Sequence, residues 1–220
     1  MILALIVAAA IVVAAILVAI SQLGGGGASS GEVSKLYAGV PQNGTTLGKG
    51  SAPVTIYLYE DFQCPYCGEF SRNVFPRLVK DYVKPGRVKL VSEPMAFIGP
   101  DSVKAAEAAL AAAKQNRYWG YYYLLFANQK TENSGYVTDD FLNNLAQKTP
   151  GLDMNRWKGA LSDPSLAKGL EKVQKKASAE GVNSTPTLIV EGPGGKKKLT
   201  GDQAQSYGKI SSTIKQVGGS

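Results

Sequence analysis

Cys64 and Cys67 are the only cysteines in this 220-residue chain, and they lie three positions apart with Pro65 and Tyr66 between them. A C-x-x-C pair can close a small disulfide, exchange that disulfide with thiols of another molecule, or hold a soft metal ion between two thiolates. A disulfide across so short a loop gives little stabilisation, because that stabilisation grows with loop length. The spacing therefore favours redox exchange over a structural disulfide, and a metal-transfer site stays open as an alternative.

The residues around the pair predict that it lies where a strand meets a helix. Residues 54–59, VTIYLY, are rich in β-branched and aromatic side chains and predict a strand. From Cys67 onward apolar residues recur at helical spacing, at Phe70, Val74, Leu78 and Tyr82. Residues 87–93 predict a second strand, and this order of elements predicts a right-handed βαβ unit with parallel strands.

The junction gives the two thiols different expected roles. Cys64 lies at the amino end of the helix, where free N–H groups and the helix dipole favour a thiolate. Cys67 lies one turn further in and is better shielded. We therefore expect Cys64 to exchange with substrate and Cys67 to resolve the mixed disulfide. Pro65 suits the first helical turn because it has no N–H to leave unpaired.

The second half of the chain predicts helices followed by a hairpin. The region from about 100 to 181 is helical in pattern, and its aromatic run at 118–126 is interpreted as packing between helices. Strands are predicted at 187–191 and 196–200, and a last helix follows Gly201. The outline is βαβ, an all-helical insertion, then ββα.

The composition excludes several classes of function. The chain contains no histidine, so Ser-His-Asp and Cys-His nucleophile arrangements and histidine-containing zinc sites are excluded. The formal net charge is +7, yet the lysines are scattered. Their one dense run, 196–198, is interpreted as a solvated hairpin edge. We expect no nucleic-acid partner.

The first twenty residues carry no charged or strongly polar side chain. A segment of this length at helical rise just spans a hydrocarbon core. We expect a membrane anchor or a cleaved signal at 1–21, and the glycine-rich stretch within 22–44 predicts a flexible linker and lead-in. The remaining 45–217 is the expected globular domain.

The combination of motifs resembles the DsbA-like members of the thioredoxin superfamily. The matching stretches are EDFQCPYC after VTIYLY, then STPTLIV, and TGDQ before the last helix. The resemblance covers about 45–217 and implies a thioredoxin fold, α/β, with an all-helical insertion. It also implies that Pro186 follows a cis peptide bond and that Thr185 pairs with an extended substrate beside Cys64.

The resemblance further implies a function. It implies an extracytoplasmic oxidoreductase that introduces disulfides into exported proteins with free thiols, and together with the apolar segment at 1–21 it predicts that this enzyme is membrane-tethered. Its expected recycling partner is a membrane quinone-linked oxidase of the DsbB or vitamin-K-epoxide-reductase type, and no metal or bound cofactor is required. A partly buried acid near the cysteines can shuttle protons in such proteins, so either Glu60 or Asp61 is a candidate for that role.

Two alternatives remain open from the sequence. The same exchange can run backward as a disulfide reductase, because direction depends on a reduction potential that the residues do not disclose. A copper carrier using both thiolates is the alternative from another class. Strongly oxidising members of the resembled family often carry histidine where this chain has Tyr66.

Overall fold

The computed structural model describes residues 29–219. In chain order the elements are α1 (Ser30–Tyr37), β1 (Gln42–Asn43), β2 (Thr46–Leu47), β3 (Val54–Asp61), α2 (Pro65–Asn73), α3 (Phe75–Leu78), a π-helical turn (Val79–Val83), β4 (Val88–Met95), α4 (Pro100–Ala113), α5 (Tyr118–Ala127), α6 (Asp139–Lys148), α7 (Met154–Leu161), α8 (Ser165–Ala179), β5 (Thr187–Gly192), β6 (Gly195–Thr200), α9 (Asp202–Gln205) and α10 (Tyr207–Gly218).

The strands form a six-stranded mixed sheet in the order β1-β2-β4-β3-β5-β6. β3 and β4 are parallel, with Ile56 opposite Leu90, and β3 pairs with β5 antiparallel. This confirms the predicted α/β fold, in which βαβ and ββα units share one sheet and are joined through an all-helical insertion. The central strand β3 leads directly to the cysteine pair.

The region before β3 contains more structure than the sequence predicted. Residues 22–44 are expected to be a flexible linker and lead-in, yet α1 lies within that range. Ser29 and Glu32 form a reciprocal capping box at its start, and Val33 and Tyr37 are buried in the core. This helix is held by packing as well as by its cap, and a glycine-rich composition immediately upstream does not reveal that.

The insertion is built on the aromatic helix α5. The predicted packing role of its aromatic run is confirmed, because Trp119 and Tyr122 are completely buried and Trp119 stacks on Phe75. Trp157 of α7 donates its Nε1–H to the Ala108 carbonyl, 2.9 Å away, and so joins α7 to α4. The insertion thus shares one hydrophobic core with the sheet.

The β6 edge of the sheet is exposed to solvent. β6 is an edge strand whose lysines at 196–198 are exposed, which confirms their interpretation as a solvated edge.

Within residues 29–219 no helix is long and apolar enough to cross a membrane. The membrane anchor or signal predicted at 1–21 lies outside the described residues.

Candidate active site

The two cysteines occupy the junction between β3 and α2. Cys64 is the N-cap of α2, with extended backbone angles (φ −65°, ψ 119°), and Pro65 is the first helical residue. Cys67 lies inside the first turn. Both are free thiols; Cys64 is 6% exposed and Cys67 is completely buried. The asymmetry expected from the sequence is therefore present in the packing.

The surroundings of Cys64 favour its thiolate. The pKa of Cys64 is lowered to about 6, first because the Cys67 thiol donates a hydrogen bond to it, against the opposing effect of burial. The Thr185 side chain and the backbone N–H groups of Tyr66 and Cys67 also favour the anion. The Cys64 sulfur lies 3.4 Å from the Thr185 carbonyl oxygen, to which the thiol can donate a hydrogen bond. The Thr185–Pro186 peptide bond is cis.

Cys67 has the opposite electrostatic environment. Burial is the main cause of a pKa raised well above that of an ordinary thiol, and the adjacent Cys64 sulfur and the charge of Glu60 raise it further. At neutral pH the pair therefore holds one proton on Cys67 and a negative charge on Cys64. This is the arrangement needed for one thiol to exchange and the other to wait.

Glu60 is a buried carboxyl group with a single protein partner. Its side chain is 2% exposed, and Oε2 accepts a 2.8 Å hydrogen bond from the Tyr122 hydroxyl. The other oxygen, Oε1, has no protein partner within the described residues. Burial raises the pKa of Glu60 to about 8, against the lowering effect of Tyr122, and the nearby Cys64 raises it further. Glu60 can therefore hold or release a proton near neutral pH.

Asp61 is also buried, but its carboxylate is fully occupied. Oδ1 accepts from the Gln63 N–H at 2.9 Å and the Ser102 hydroxyl at 2.7 Å. Oδ2 accepts from the N–H groups of Phe97 and Ile98 at 3.1 and 3.2 Å. These bonds join β3, the loop before Cys64, the loop after β4 and the start of α4. Of the two acids considered from the sequence, Asp61 therefore has both oxygens occupied by protein donors, whereas one oxygen of Glu60 has no protein partner within the described residues.

Gln129, just after α5, holds the loop that carries Cys64. Its Nε2 donates to the carbonyl oxygens of Phe62 and Cys64, at 2.9 and 3.0 Å. Gly68 makes this approach possible, because a Cβ at that position would lie 2.2 Å from the Gln129 Oε1 atom. Sequence reasoning missed Gln129, since a lone glutamine after an aromatic helix carries no recognisable signal.

The remaining predicted residues surround the exchanging thiol. Tyr66 is 64% exposed, and its carbonyl oxygen accepts a 2.7 Å hydrogen bond from the Gln205 amide. The structure thus brings Cys64, Cys67, Thr185 and Glu60 together, with Tyr66 at the surface. Across residues 29–219, no group of three or more His, Cys, Asp or Glu side chains is arranged to hold a metal ion.

Comparison with known proteins adds a family match, a curated relative and two solved structures. The sequence model of the thioredoxin family matches residues 41–216. Probable disulfide bond formation protein D of Bacillus cereus is 32% identical over 150 residues, which cover 67% of this chain and 69% of the relative. Oxidised BdbD from Bacillus subtilis superposes with a TM-score of 0.70 at 28% identity, covering 80% of this chain and 96% of that one. DsbA of Chlamydia trachomatis gives 0.68 at 26% identity, with 78% and 90% covered.

The low pKa of Cys64 can be tested by alkylation. In the reduced protein, the rate of Cys64 alkylation by iodoacetamide should rise with a midpoint near pH 6. Cys67→Ala removes the principal hydrogen bond to the thiolate and should move the midpoint up by about one pH unit or more. Cys67→Ser keeps a donor and should change it less. An equal midpoint in both variants would contradict the assigned cause.

Burial of Glu60 predicts a pH-dependent stability difference. Because its folded pKa of about 8 lies above the unfolded value, the folded state binds the extra proton, and stability is lost as pH rises through that range. Glu60→Gln removes this loss. The unfolding free energy of Glu60→Gln minus that of the reduced wild type should therefore increase by about 1.4 kcal/mol for each pH unit between roughly pH 5 and 8. Urea unfolding measures this. For the exposed Glu171→Gln, the difference from wild type should not change with pH.

The Tyr122 hydrogen bond predicts the effect of a second substitution. Tyr122→Phe should raise the pKa of Glu60 by a further one to two units or so, because a hydrogen bond to the charged carboxylate is lost. Carboxyl ¹³C NMR of reduced protein, assigned with Glu60→Gln, would report it. Tyr121→Phe is the control, since that equally buried hydroxyl donates to the Leu142 carbonyl instead. An unchanged Glu60 titration in Tyr122→Phe would show that the bond does not form.

Proposed function

Because this chain belongs to the thioredoxin family and is a DsbA-like thiol-disulfide oxidoreductase, we propose that it introduces disulfide bonds into exported proteins through Cys64 and Cys67. The observation that carries the proposal is the electrostatic asymmetry of the pair. One thiol has a pKa of about 6 and lies beside Thr185, and the other is sealed in the core with a raised pKa. A structural disulfide has no need of this difference.

The reaction begins with the oxidised pair. A substrate thiolate attacks the Cys64 sulfur, forming a substrate–Cys64 disulfide and breaking the Cys64–Cys67 bond. The electron pair of the broken bond stays on Cys67, which takes up a proton because its buried thiolate is unfavourable. Glu60, whose pKa is near 8, is the group proposed to deliver that proton.

The second exchange releases the product. A second substrate thiolate attacks the substrate sulfur of the mixed disulfide, so the substrate disulfide forms and Cys64 leaves as a thiolate. A thiol of low pKa is a good leaving group in this step. The substrate has lost two electrons and two protons. The enzyme holds both electrons, with one proton on Cys67 and Cys64 as a thiolate, and the second proton passes to solvent. Thr185 and Pro186 are the proposed docking point for the substrate backbone, since the Thr185 carbonyl lies 3.4 Å from the Cys64 sulfur.

The stabilised Cys64 thiolate supports the oxidative direction. A reduced form that is stabilised as a thiolate makes its disulfide a stronger oxidant. A reductase running backward gains nothing from this stabilisation, so it is the less favoured alternative. For the copper carrier, the names of the relatives give no support: the Bacillus cereus relative is named for disulfide bond formation.

The bounds of the domain and its location at the membrane are also proposals. We assign the exchange domain to 45–217, with the insertion at about 100–181 and α1 packed against its core, and propose that 1–21 tethers it to the membrane. The domain would then face an oxidising, extracytoplasmic space, where such disulfides persist. Reoxidation of the dithiol needs an electron acceptor, and a membrane quinone-linked oxidase of the DsbB or vitamin-K-epoxide-reductase type fits a tethered partner.

Trapping in cells tests the function. The full chain carrying Cys67→Ala should accumulate mixed disulfides with exported proteins, visible as higher bands on non-reducing gels, because Cys67 can no longer attack the Cys64 sulfur and expel the bound substrate. The wild-type pair should be mostly oxidised when thiols are blocked at harvest. A mostly reduced pair would instead identify a reductase.

Two controls complete this test. Cys64→Ala removes the exchanging thiol and should abolish the mixed disulfides; bands that persist would overturn the assignment of Cys64. The copper content of freshly purified wild-type protein tests the metal-carrier alternative. Stoichiometric copper would contradict an enzyme whose pair cycles through the disulfide.

A further inference from the structure

A groove next to the exchanging thiol has a chemical character of its own. It has a volume of about 530 Å³ and lies between the first turn of α2, the loop before β5 and the start of α9. Tyr66, Thr185 and Gln205 are among its lining residues. Because Thr185 lines the groove and its carbonyl oxygen is 3.4 Å from the Cys64 sulfur, the groove lies next to the exchanging thiol.

The charges that line the groove are all negative. Its ionisable side chains include Glu69 of α2 and Asp202 of α9, and its lining holds no lysine or arginine. Both carboxylates are exposed, and neither forms an ion pair with any residue of the described chain. In a protein with a net charge of +7, these two carboxylates place a local concentration of negative charge at the groove.

Tyr66 adds an aromatic surface to these charges. Its ring is 64% exposed, and its backbone is fixed by the hydrogen bond from Gln205 to the Tyr66 carbonyl. An aromatic ring beside carboxylates suits a side chain with an apolar stem and a cationic head. Lysine and arginine have that form, whereas an acidic side chain would be repelled.

We propose that the groove selects substrate segments that carry lysine or arginine within a few residues of the exchanging cysteine. This rests on the proposed function and names the substrate class of the same site. The basic side chain lies over Tyr66 with its charge between Glu69 and Asp202 while the cysteine reaches Cys64. The selected step is the first attack, in which the substrate thiolate bonds to Cys64 and the electron pair of the broken bond goes to Cys67.

Peptide oxidation by the disulfide form of the full chain tests this. The substrates are three two-cysteine peptides, identical except for lysine, glutamine or glutamate flanking the first cysteine. The kcat/KM for the lysine peptide should exceed that for the glutamine peptide by about fivefold, the factor for one charge pair at contact distance in water. The glutamate peptide should be slower than both, and the differences should shrink towards 1 M salt, where screening reaches about 3 Å.

One effect must be separated from recognition by the groove. A neighbouring lysine lowers the pKa of the substrate cysteine and so raises its thiolate fraction in any reaction. The same peptides are therefore oxidised by glutathione disulfide without the protein, and each enzymatic ratio is divided by the uncatalysed ratio. The preference attributed to the groove is the rate ratio that remains after this division.

Variants of the groove give the decisive comparison. Glu69→Gln with Asp202→Asn should remove the remaining preference, and Glu69→Lys with Asp202→Lys should reverse it. Glu171→Gln with Asp140→Asn changes the net charge equally at exposed positions outside the groove lining and should keep it. Equal corrected rates for all peptides, or a preference that survives the first pair of substitutions, would overturn the inference and leave the proposed function standing. If no peptide is oxidised faster than without protein, the proposed function itself fails.

Discussion

The buried carboxylate of Asp61 fixes the relation between the sheet and everything that surrounds the thiols. Its oxygens accept hydrogen bonds from the loop before Cys64, from the loop after β4 and from the start of α4. A fully buried charge is tolerated only when it is paired by such donors. Because these donors come from three separate segments, the carboxylate joins the βαβ unit to the helical insertion at the point where chemistry takes place.

With that junction fixed, the helix that follows the central strand β3 places the two thiols in very different surroundings. Cys64 lies at the start of α2, where donors converge on its sulfur, whereas Cys67 faces the core and the buried Glu60. Gln129 reaches the same loop from the insertion. The insertion therefore contributes to the position of the reacting sulfur as well as to the core, and Tyr122 links it to the acid beneath the pair.

The sequence predicted the main elements because their side chains carry the information locally. The alternation in VTIYLY and the helical spacing after Cys67 located β3 and α2, and the cysteine spacing located the reactive pair. The burial of Glu60 and Asp61 could not be predicted in this way, since two acids at a strand end look like a solvated terminus until α4 and α5 cover them. Gln129 and α1 were missed for the same reason, because distant contacts decide where they lie.

The edges of the sheet bear on how such an enzyme avoids aggregating with its substrates. Incompletely folded chains expose unpaired strands, and an open sheet edge invites them to add on and aggregate. β6 presents a row of exposed lysines, and the opposite edge, β1, is only two residues long. Both features discourage strand addition. An unfolded client can therefore be engaged at the thiols and released, without being incorporated into a growing polymer.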